Sequence, residues 1–468
     1  MLPTGLAIRA AVPKNEDCNP ATRDDTGDLG CHVKTHHGRY ALLDDLRMQI
    51  KRCRNRWSTS LMKPLCVRLP HRIVAVAAAV LLIAQIAIST GWGQKLPEPT
   101  AAQARRLKEA AKTSDIDRDE VIVFFETAAH LDKDGATWVI PIHGVIYEPT
   151  VNPLRRSAMA VAIGRLADSD EDASKSLNLI RILDHFLVDN ERGQDISIRI
   201  GNRVVNIGKS KANGHFQDTI RLRDADIQNL LVRRGQTTFL PFEAVLQTSD
   251  RRRFVGRAYR VPQTGLSIIS DIDDNIKHSE VTDAEAVLEN TFLFKFQAAP
   301  GMPELYQTCA RKGITFHYVS GSPWQLYLPL LEFFDAEKLP RGSFALKHFR
   351  LKNPSTAADM LRSPQEAKLN AIEQILAAYP QRRFLLIGDS GEKDPEIYSA
   401  TAQSHPEQVV GIFIRNVTND QLSDTRFQKV TKELGKIPFR LFTDPNELSL
   451  DIEAINRDHG TPSTPPAR

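Results

Sequence analysis

The chain has 468 residues, of which 41% are apolar and 25% are charged, a composition that is ordinary for a globular protein. This composition excludes a wholly disordered chain, a collagen-like chain and a disulfide-dense miniprotein. At roughly 150 residues per domain, the length predicts two or three domains.

Positive charge is concentrated near the N-terminus. Residues 1–72 carry 13 Lys or Arg and 7 Asp or Glu, whereas residues 73–468 carry 48 and 50. The net charge of +4 therefore belongs to the N-terminal arm, and we expect no nucleic-acid partner for the rest of the chain. Four of the five cysteines also precede residue 73, so Cys309 has no intrachain disulfide partner in the remainder.

An apolar segment follows the basic arm. Residues 73–88 carry no charge, and extension to Trp92 gives about 20 residues, the length that crosses a bilayer. Residues 47–72 carry eight Lys or Arg and no acid, which predicts a cytoplasmic N-terminus. We expect residues 73–92 to be a transmembrane helix or a signal peptide, with a buried core helix as the alternative. If translation starts at Met62, the apolar segment and its basic flank have the pattern of a signal peptide, so cleavage of this segment stays open. If translation starts at Met1, we expect residues 1–72 to be a disordered arm.

Short strands separated by turns follow a linker at residues 93–118. Strands are predicted at residues 121–125, 137–147, 196–200, 204–207, 216–222, 239–246 and 254–261. With helical spacing over 153–190, they predict a small β-sandwich-like domain at 119–262 with a helical insertion. No residues here have the spacing of a nucleophile, a base or metal ligands. We interpret this domain as a scaffold or an interaction module whose protein partner is unknown.

Strands alternate with helices over residues 263–450. Strands are predicted at residues 266–270, 315–319, 343–346, 384–387 and 409–414, and helices at 303–311, 324–334, 364–378, 395–403 and 419–434. This alternation predicts an α/β fold, a Rossmann-like parallel sheet with helices on both faces. Residues 451–468 are predicted to be a C-terminal tail.

Reactive side chains cluster at the predicted strand ends, where such sheets bind ligands. They are Asp271 and Asp273 after the first strand, Ser320 and Gly321 at the second, Lys368 on a helix, and Asp389 and Asp394 after the fourth strand. Carboxylates this close repel each other unless a hard cation such as Mg²⁺ offsets their charge. Lys368 and a helix N-terminus predicted at Ser322-Pro323 suit a phosphoryl group. The set indicates phosphoryl transfer.

Four segments carry a family resemblance. In chain order, DIDDN, YVSGS, the helix with Lys368, and LLIGDSGEKD resemble the four motifs of the haloacid-dehalogenase-type phosphohydrolases. The longer strings SDIDDNIKHS, FHYVSGSPWQLY and FLLIGDSGEKDPEIY look like the catalytic domain of the actin-patch-associated phosphatidate phosphatases and their bacterial relatives. The resemblance covers about residues 265–450.

The resemblance implies an Mg²⁺-dependent hydrolase that releases phosphate from phosphatidate or related lipid phosphates. Asp271 would be the nucleophile that forms an aspartyl-phosphate, and Asp273 the acid and base. Further implied roles are Mg²⁺ binding by Asp271, the Asp273 carbonyl and Asp389 with Asp394 nearby, and phosphoryl binding by Ser320, Gly321 and Lys368. From the resemblance and the apolar segment together, we expect an exported or membrane-anchored protein of the bacterial periplasm or cell envelope. Its catalytic domain would lie outside the cytoplasm.

Alternatives stay open at this point. Asn275 departs from the Thr or Val usual at the fifth position of the first motif, and reduced activity is one consequence. The alternative functions are a phosphomonoesterase for soluble substrates and a catalytically weak binding module. The apolar cluster at 324–334 is interpreted as core packing, with a wall for acyl chains as the alternative. The basic run at 347–352 is either a solvated loop or a contact for phosphate or an anionic membrane.

Overall fold

The computed structural model describes residues 113–149, 153–166, 173–348 and 365–459. Within these ranges, every helix is too short or too polar to cross a bilayer. The arm at 1–72 and the apolar segment at 73–92 lie outside the described residues, as do most of the 93–118 linker and residues 349–352 of the basic run. The interpretations placed on them remain predictions.

The β-rich region is built around a long central strand, β3. Its strands are β1 (Val121–Phe124), β2 (Thr127–Leu131), β3 (Thr137–Pro149), β4 (Val188–Asn190), β5 (Asp195–Ile200), β6 (Arg203–Lys209), β7 (His215–Arg223), β8 (Val232–Arg234), β9 (Thr237–Ala244) and β10 (Val255–Arg260). Strand β3 pairs antiparallel with β1, β2, β4 and β7. Strand β2 also pairs parallel with β10, which joins β3 and its partners to β9, β5, β6 and β8. The expected helical insertion is present between β3 and β4 as α1 (Pro153–Leu166) and α2 (Ala173–Phe186), and a short α3 spans Asp224–Ile227.

The following region is an α/β sheet, as predicted. Its elements are β11 (Leu266–Ser270), α4 (Ala284–Leu288), α5 (Met302–Arg311), β12 (Thr315–Pro323), α6 (Tyr327–Ala336), β13 (Ser343–Lys347), α7 (Gln365–Ala378), β14 (Arg383–Asp389), α8 (Asp394–Ser404), β15 (Val409–Arg415), α9 (Thr425–Thr431), β16 (Phe439–Phe442) and α10 (Ser449–His459). The strand order is β13-β12-β11-β14-β15-β16, and all neighbours are parallel. Strand β11 lies inside the sheet and is buried at every residue, including Ser267 and Ser270.

Helices cover both faces of this sheet. On one face Ile268 of β11 belongs to the same buried cluster as Tyr306 of α5. On the other face Ile269 joins Ile372 of α7 and Tyr398 of α8. Consecutive residues of β11 thus bury their side chains against different helices, which confirms the predicted layers.

The β-rich region and the α/β sheet share a hydrophobic core. The ring of Phe125 lies 4.7 Å from that of Tyr327, measured between centroids, and the Tyr327 hydroxyl accepts a 2.8 Å hydrogen bond from the Glu126 backbone N–H. The Phe344 N–H of β13 donates to the Glu126 carbonyl at 3.0 Å. Trp324 and Tyr327 are both buried, which agrees with the interpretation of core packing for these two residues.

Two elements near the C-terminus differ from expectation. Helix α9 spans Thr425–Thr431 and not 419–434, because Asn419 adopts a left-handed φ of 57° within a turn, which a right-handed helix cannot continue through. The predicted tail at 451–468 instead begins with most of α10, which is anchored by the buried side chain of Ile452. Its apolar residues Leu450, Ile452 and Ile455 are few and Leu450 is exposed, so the pattern was too weak to predict this helix.

Arg382 stabilises the chain segment that leads into β11. Its side chain is 1% exposed, and its guanidinium donates to the carbonyls of Pro262, Thr264 and Leu266 and to the hydroxyls of Ser267 and Thr315. Burial lowers the pKa of Arg382 to about 10, which leaves it charged at neutral pH. These contacts hold the connection between β10 and β11.

Replacement of this guanidinium should destabilise the fold. We expect Arg382→Met to lower the free energy of unfolding by about 3 kcal/mol, because several buried oxygens lose their donor. Urea unfolding of the full-length protein measures the change. The neighbouring Arg383→Met is the control and should change stability by no more than about 0.5 kcal/mol. Equal losses for both variants would contradict this stabilising role.

Candidate active site

The loop after β11 is held by its own acid, Asp274. The Asp274 carboxylate accepts hydrogen bonds from the backbone N–H groups of Ser279, Glu280 and Val281 at 2.7, 2.8 and 2.6 Å. Its backbone has a left-handed φ of 52°, which Asp tolerates better than most residues. Asp274 therefore stabilises the conformation of the loop. Its carboxylate is used within the loop, whereas those of Asp271 and Asp273 contact other groups.

Three of the predicted acids meet at the ends of β11 and β14. Asp271, Asp389 and Asp394 are each 0% exposed, and one carboxylate oxygen of each lies within 4.8 Å of the others. Gly388 permits this approach, because a Cβ at that position would lie 2.1 Å from Oδ2 of Asp394. The parallel pairing of β11 with β14 brings the sequence-distant acids together.

Lys368 of α7 is the cation at this acidic cluster. Its Nζ lies 2.9 Å from Oδ1 of Asp271 and 3.4 Å from Oε2 of Glu392, and it also contacts Oδ1 of Asp394. The lysine side chain is 2% exposed. The structure thus confirms the predicted meeting of Lys368 with Asp271 and Asp394. It adds Glu392, which the sequence reasoning missed although it lies within the LLIGDSGEKD segment.

The environment of these acids disfavours their charged forms. Burial raises the pKa of Asp271 well above its usual range, and repulsion from Asp394 and Glu392 adds to the rise, while Lys368 opposes it. Burial likewise raises the pKa of Asp389, with further repulsion from Asp394 and Glu392. A single ammonium does not offset this group of carboxylates.

The donor set fits a hard divalent cation. Oδ2 of Asp271 and Oδ2 of Asp389 are buried and have no hydrogen-bond partner among the described residues. Oδ1 of Asp389, by contrast, accepts from the N–H groups of Gly391 and Glu392 at 2.7 and 2.9 Å, which fixes the orientation of the carboxylate. Oriented carboxylate oxygens without a proton donor are the ligands that Mg²⁺, Mn²⁺ and Ca²⁺ prefer.

Asp273 lies in a separate polar network. Oδ1 is 2.9 Å from Nζ of Lys277 and accepts a 2.8 Å hydrogen bond from Ser279, and Oδ2 accepts from the hydroxyls of Ser322 and Ser320 at 2.5 and 3.2 Å. Burial alone would raise the pKa of Asp273, but Lys277 and these donors outweigh it and hold the pKa at about 2. The side chain keeps 16% exposure, so unlike Asp271 it faces solvent.

Lys277, Ser279 and Ser322 were not predicted as site residues. Lys277 is 0% exposed, and its ammonium also lies 4.9 Å from the ring centre of Phe296. The letters IKHS directly after DIDDN carry a lysine and a serine at short distance from Asp273, but nothing in the sequence shows that the loop folds back on itself.

The predicted helix N-terminus at Ser322-Pro323 is wrong. Both residues belong to β12, which continues past a bulge and pairs Pro323 with Lys347 of β13. A short 3-10 turn at Trp324–Leu326 follows, and α6 begins only at Tyr327. Ser322 is therefore a hydrogen-bond donor to Asp273 and does not cap a helix.

A cavity of about 280 Å³ opens beside Asp273. Its polar lining residues are Asp273, Thr282, Thr291, Ser322 and Glu392, and Gly321 also lines it. Its apolar wall is formed by Val281, Ala284, Val287, Pro323 and Leu326. The cavity therefore offers both polar and apolar groups to a ligand.

Asn275 supports the loop. Its Nδ2 lies within 3.0–3.3 Å of four oxygens, which belong to Ser270, Asp271, Tyr306 and Ile387. Its side chain is 0% exposed and joins β11, α5 and β14. Asn275 thus supplies a hydrogen-bond donor at this position, which Thr could also do and Val could not.

Comparison with known proteins agrees with this site. Residues 266–416 match the family described as the catalytic domain of phosphatidate phosphatase APP1. The Saccharomyces cerevisiae phosphatidate phosphatase APP1 is 34% identical over 222 residues, which cover 45% of this chain and 37% of the yeast protein. An uncharacterized protein of Schizosaccharomyces pombe is 34% identical over 187 residues, which cover 38% of this chain and 30% of that protein. The chain thus spans about a third of the length of these curated relatives.

A solved structure from Thermotoga maritima, described as a β-phosphoglucomutase, is 16% identical and covers 40% of this chain and 99% of its own, with a TM-score of 0.25. That score is too low to define a shared fold. The sequence match is the informative one.

The buried acids Asp271, Asp389 and Asp394 lie within the matched segment, at the carboxyl end of a parallel sheet. Residues 266–416 are thus similar to the catalytic domain of phosphatidate phosphatase APP1. The family predicted from the sequence motifs is therefore confirmed over these residues.

Removal of one charge from the acidic cluster should raise thermal stability without a bound cation and lower it, relative to the wild type, with one. We expect Asp389→Asn to raise the thermal unfolding midpoint of the metal-free protein by about 2–4 °C, because repulsion among the buried carboxylates falls. With saturating Mg²⁺ or Mn²⁺ the order should reverse, since the wild-type protein gains binding energy that the variant lacks.

Differential scanning calorimetry of the full-length protein, with chelator and with each cation, measures both differences. Asp218→Asn, a change of an exposed acid on β7, is the matched control and should shift neither midpoint. A cation that stabilises Asp389→Asn as much as the wild type would contradict the assignment of Asp389 as a ligand.

Proposed function

We propose that the protein is an Mg²⁺-dependent hydrolase that releases phosphate from phosphatidate or a related lipid phosphate. The observation that carries this proposal is the convergence of Asp271, Asp389, Asp394 and Lys368 in a buried cluster at the sheet edge. The family match supports the same chemistry.

Asp271 is the proposed nucleophile. One of its oxygens forms a bond to phosphorus while the bond from phosphorus to the ester oxygen breaks, which leaves an aspartyl-phosphate and an alkoxide. Lys368, already 2.9 Å from Oδ1 of Asp271, orients this carboxylate. With Ser320 and Gly321, it also holds the phosphoryl oxygens.

Asp273 is the proposed acid and base. It gives a proton to the leaving alkoxide, and the resulting carboxylate then takes a proton from the water that attacks the aspartyl-phosphate. Lys277 favours the carboxylate form, which the second step requires. A phosphate dianion bound beside Asp273 opposes Lys277 and raises the pKa of Asp273, which favours the protonated form for the first step.

Asp271, the Asp273 backbone carbonyl and Asp389 are the proposed Mg²⁺ ligands, with Asp394 beside them. When bound, the ion supplies positive charge that stabilises the phosphoryl oxygens during transfer. The unpartnered Oδ2 atoms of Asp271 and Asp389 support this assignment.

A lipid substrate is favoured by the cavity wall. Val281, Val287 and Leu326 line the same cavity as Asp273, and we propose that they contact the apolar part of a phosphate ester. The apolar segment at 73–92 and the basic residues before it favour anchoring or export across a membrane, with the site close to lipid. These features together favour a catalytic domain outside the cytoplasm.

Loss of the nucleophile should abolish turnover. We expect Asp271→Asn to lower kcat for phosphatidate in detergent micelles with Mg²⁺ by at least about a thousandfold, because no bond to phosphorus forms. Phosphate release by full-length protein, with Mg²⁺ and with chelator, is the measurement. Asp218→Asn should keep wild-type activity.

The same assay separates the alternatives. Wild-type protein that hydrolyses a small aryl phosphate but not phosphatidate would be a phosphomonoesterase for soluble substrates. Folded wild-type protein that hydrolyses neither compound would be a binding module.

The apolar wall gives a test of the lipid specificity. We expect Val287→Asn to lower kcat/KM for phosphatidate about tenfold, since one lost apolar contact in a pocket has this order of effect. Activity towards a soluble aryl phosphate should fall much less, because that ester carries no acyl chain to contact Val287. Val255→Asn, at a half-exposed valine of β10, is the control. Equal loss with both substrates would show that Val287 acts on the site itself.

A further inference from the structure

Three histidines form a cluster outside the acidic site. His143 lies on β3, His215 on β7 and His348 directly after β13, and one ring nitrogen of each lies within 4.8 Å of the others. Nε2 of His143 is 3.1 Å from Nδ1 of His215. The rings of His215 and His348 stack with centroids 4.0 Å apart.

The register of the sheet explains the first pair. His143 lies opposite Gln217, and His215 lies opposite Val145, so the two histidines are diagonal neighbours on one face of the antiparallel β3–β7 pair. His348 reaches this face from the edge strand of the α/β sheet. The cluster therefore joins the two parts of the protein.

The rings carry no charge at neutral pH. Burial, with repulsion from His348 and Lys211, lowers the pKa of His143 to about 3 and that of His215 to about 2. Neutral imidazole is the form that binds metal ions. Nε2 of His215 is also buried without a hydrogen-bond partner among the described residues, an arrangement that costs free energy unless this nitrogen itself binds a ligand.

We propose that His143, His215 and His348 form a second metal site, for Zn²⁺ or a similar borderline divalent ion, that fastens the end of β13 to the β-rich region. Three imidazoles with an open fourth position are a common zinc donor set, and the absence of carboxylates among the three donors disfavours Mg²⁺. Zn–N bonds of about 2.0–2.1 Å place tetrahedral nitrogens roughly 3.3 Å apart. The ring nitrogens that the three histidines offer lie within 4.8 Å of one another, so small rotations of the rings bring them to this spacing, and bonds to the ion then replace the His143–His215 hydrogen bond.

One charged side chain near the cluster opposes metal binding. Lys211 places positive charge near the cluster, which weakens the binding of a cation. Three stacked neutral rings are the alternative state, in which the cluster is packing alone. Direct binding measurements separate the two.

The test is titration of full-length, chelator-treated protein with Zn²⁺ by calorimetry, in millimolar Mg²⁺ that fills the acidic site. A parallel titration with Co²⁺ reports nitrogen coordination through its visible d–d absorption. We expect the wild-type protein to bind one Zn²⁺ per chain in addition to the Mg²⁺. The Zn²⁺ affinity of His348→Ala should be at least about 100-fold weaker, since loss of a group that merely supports a metal ligand already lowers metal affinity 10–100-fold. Because His348 is exposed, this variant should fold, which circular dichroism verifies.

His405→Ala is the matched control, because His405 is partly exposed and pairs with Glu373, away from the cluster. It should keep the wild-type Zn²⁺ affinity and the rise in unfolding temperature that Zn²⁺ produces. The proposal is overturned if His348→Ala binds Zn²⁺ as tightly as wild type. It is also overturned if Asp389→Asn, which changes only the acidic site, removes all Zn²⁺ binding. Neither outcome depends on catalytic activity.

Discussion

The contact of Lys368 with the carboxylates of Asp271 and Asp394 is the interaction on which the site depends. Buried like charges repel strongly, and a group of acids this close persists only where positive charge is held beside it. The fold supplies that charge from α7, while parallel pairing of β11 with β14 supplies the acids. The excess negative charge destabilises the cluster when no cation is bound. The same charge favours the binding of a cation, and the cation and Lys368 together suit the oxygens of a phosphoryl group.

Much of this arrangement could be predicted from the sequence. Apolar runs that alternate with helical spacing fix a parallel sheet, and polar residues after such runs must meet at its carboxyl edge, so Asp271, Lys368, Asp389 and Asp394 were found together. The contacts of Asp273 could not be predicted in this way. They depend on a loop that turns back to bury Lys277 and on a strand that continues through Ser322, and both are decided by packing rather than by local pattern. The domain limits drawn from the sequence stay predictions, but the shared core shows that the β-rich region is more than an appended scaffold.

The histidine cluster shows a second limit of sequence reasoning. Metal sites are found from sequence when their ligands follow a fixed spacing, as on a helix or in a tight turn. His143 lies on β3, His215 on β7 and His348 directly after β13, and only the β3–β7 register and the position of β13 bring these distant residues together. No ligand spacing was expected in the β-rich region, which holds His143 and His215. The ligands become visible only in three dimensions.

The hydrogen bond from the Phe344 N–H to the Glu126 carbonyl has a consequence for how the protein can be divided. Strand β13 is the edge of the parallel sheet, and an open edge offers unpaired backbone groups to any other strand it meets. The chain before residue 263 occupies part of that edge. A fragment that starts at the α/β region would therefore expose a ready template for intermolecular strand pairing. The β-rich region therefore shields this edge of the α/β sheet from pairing with a strand of another molecule.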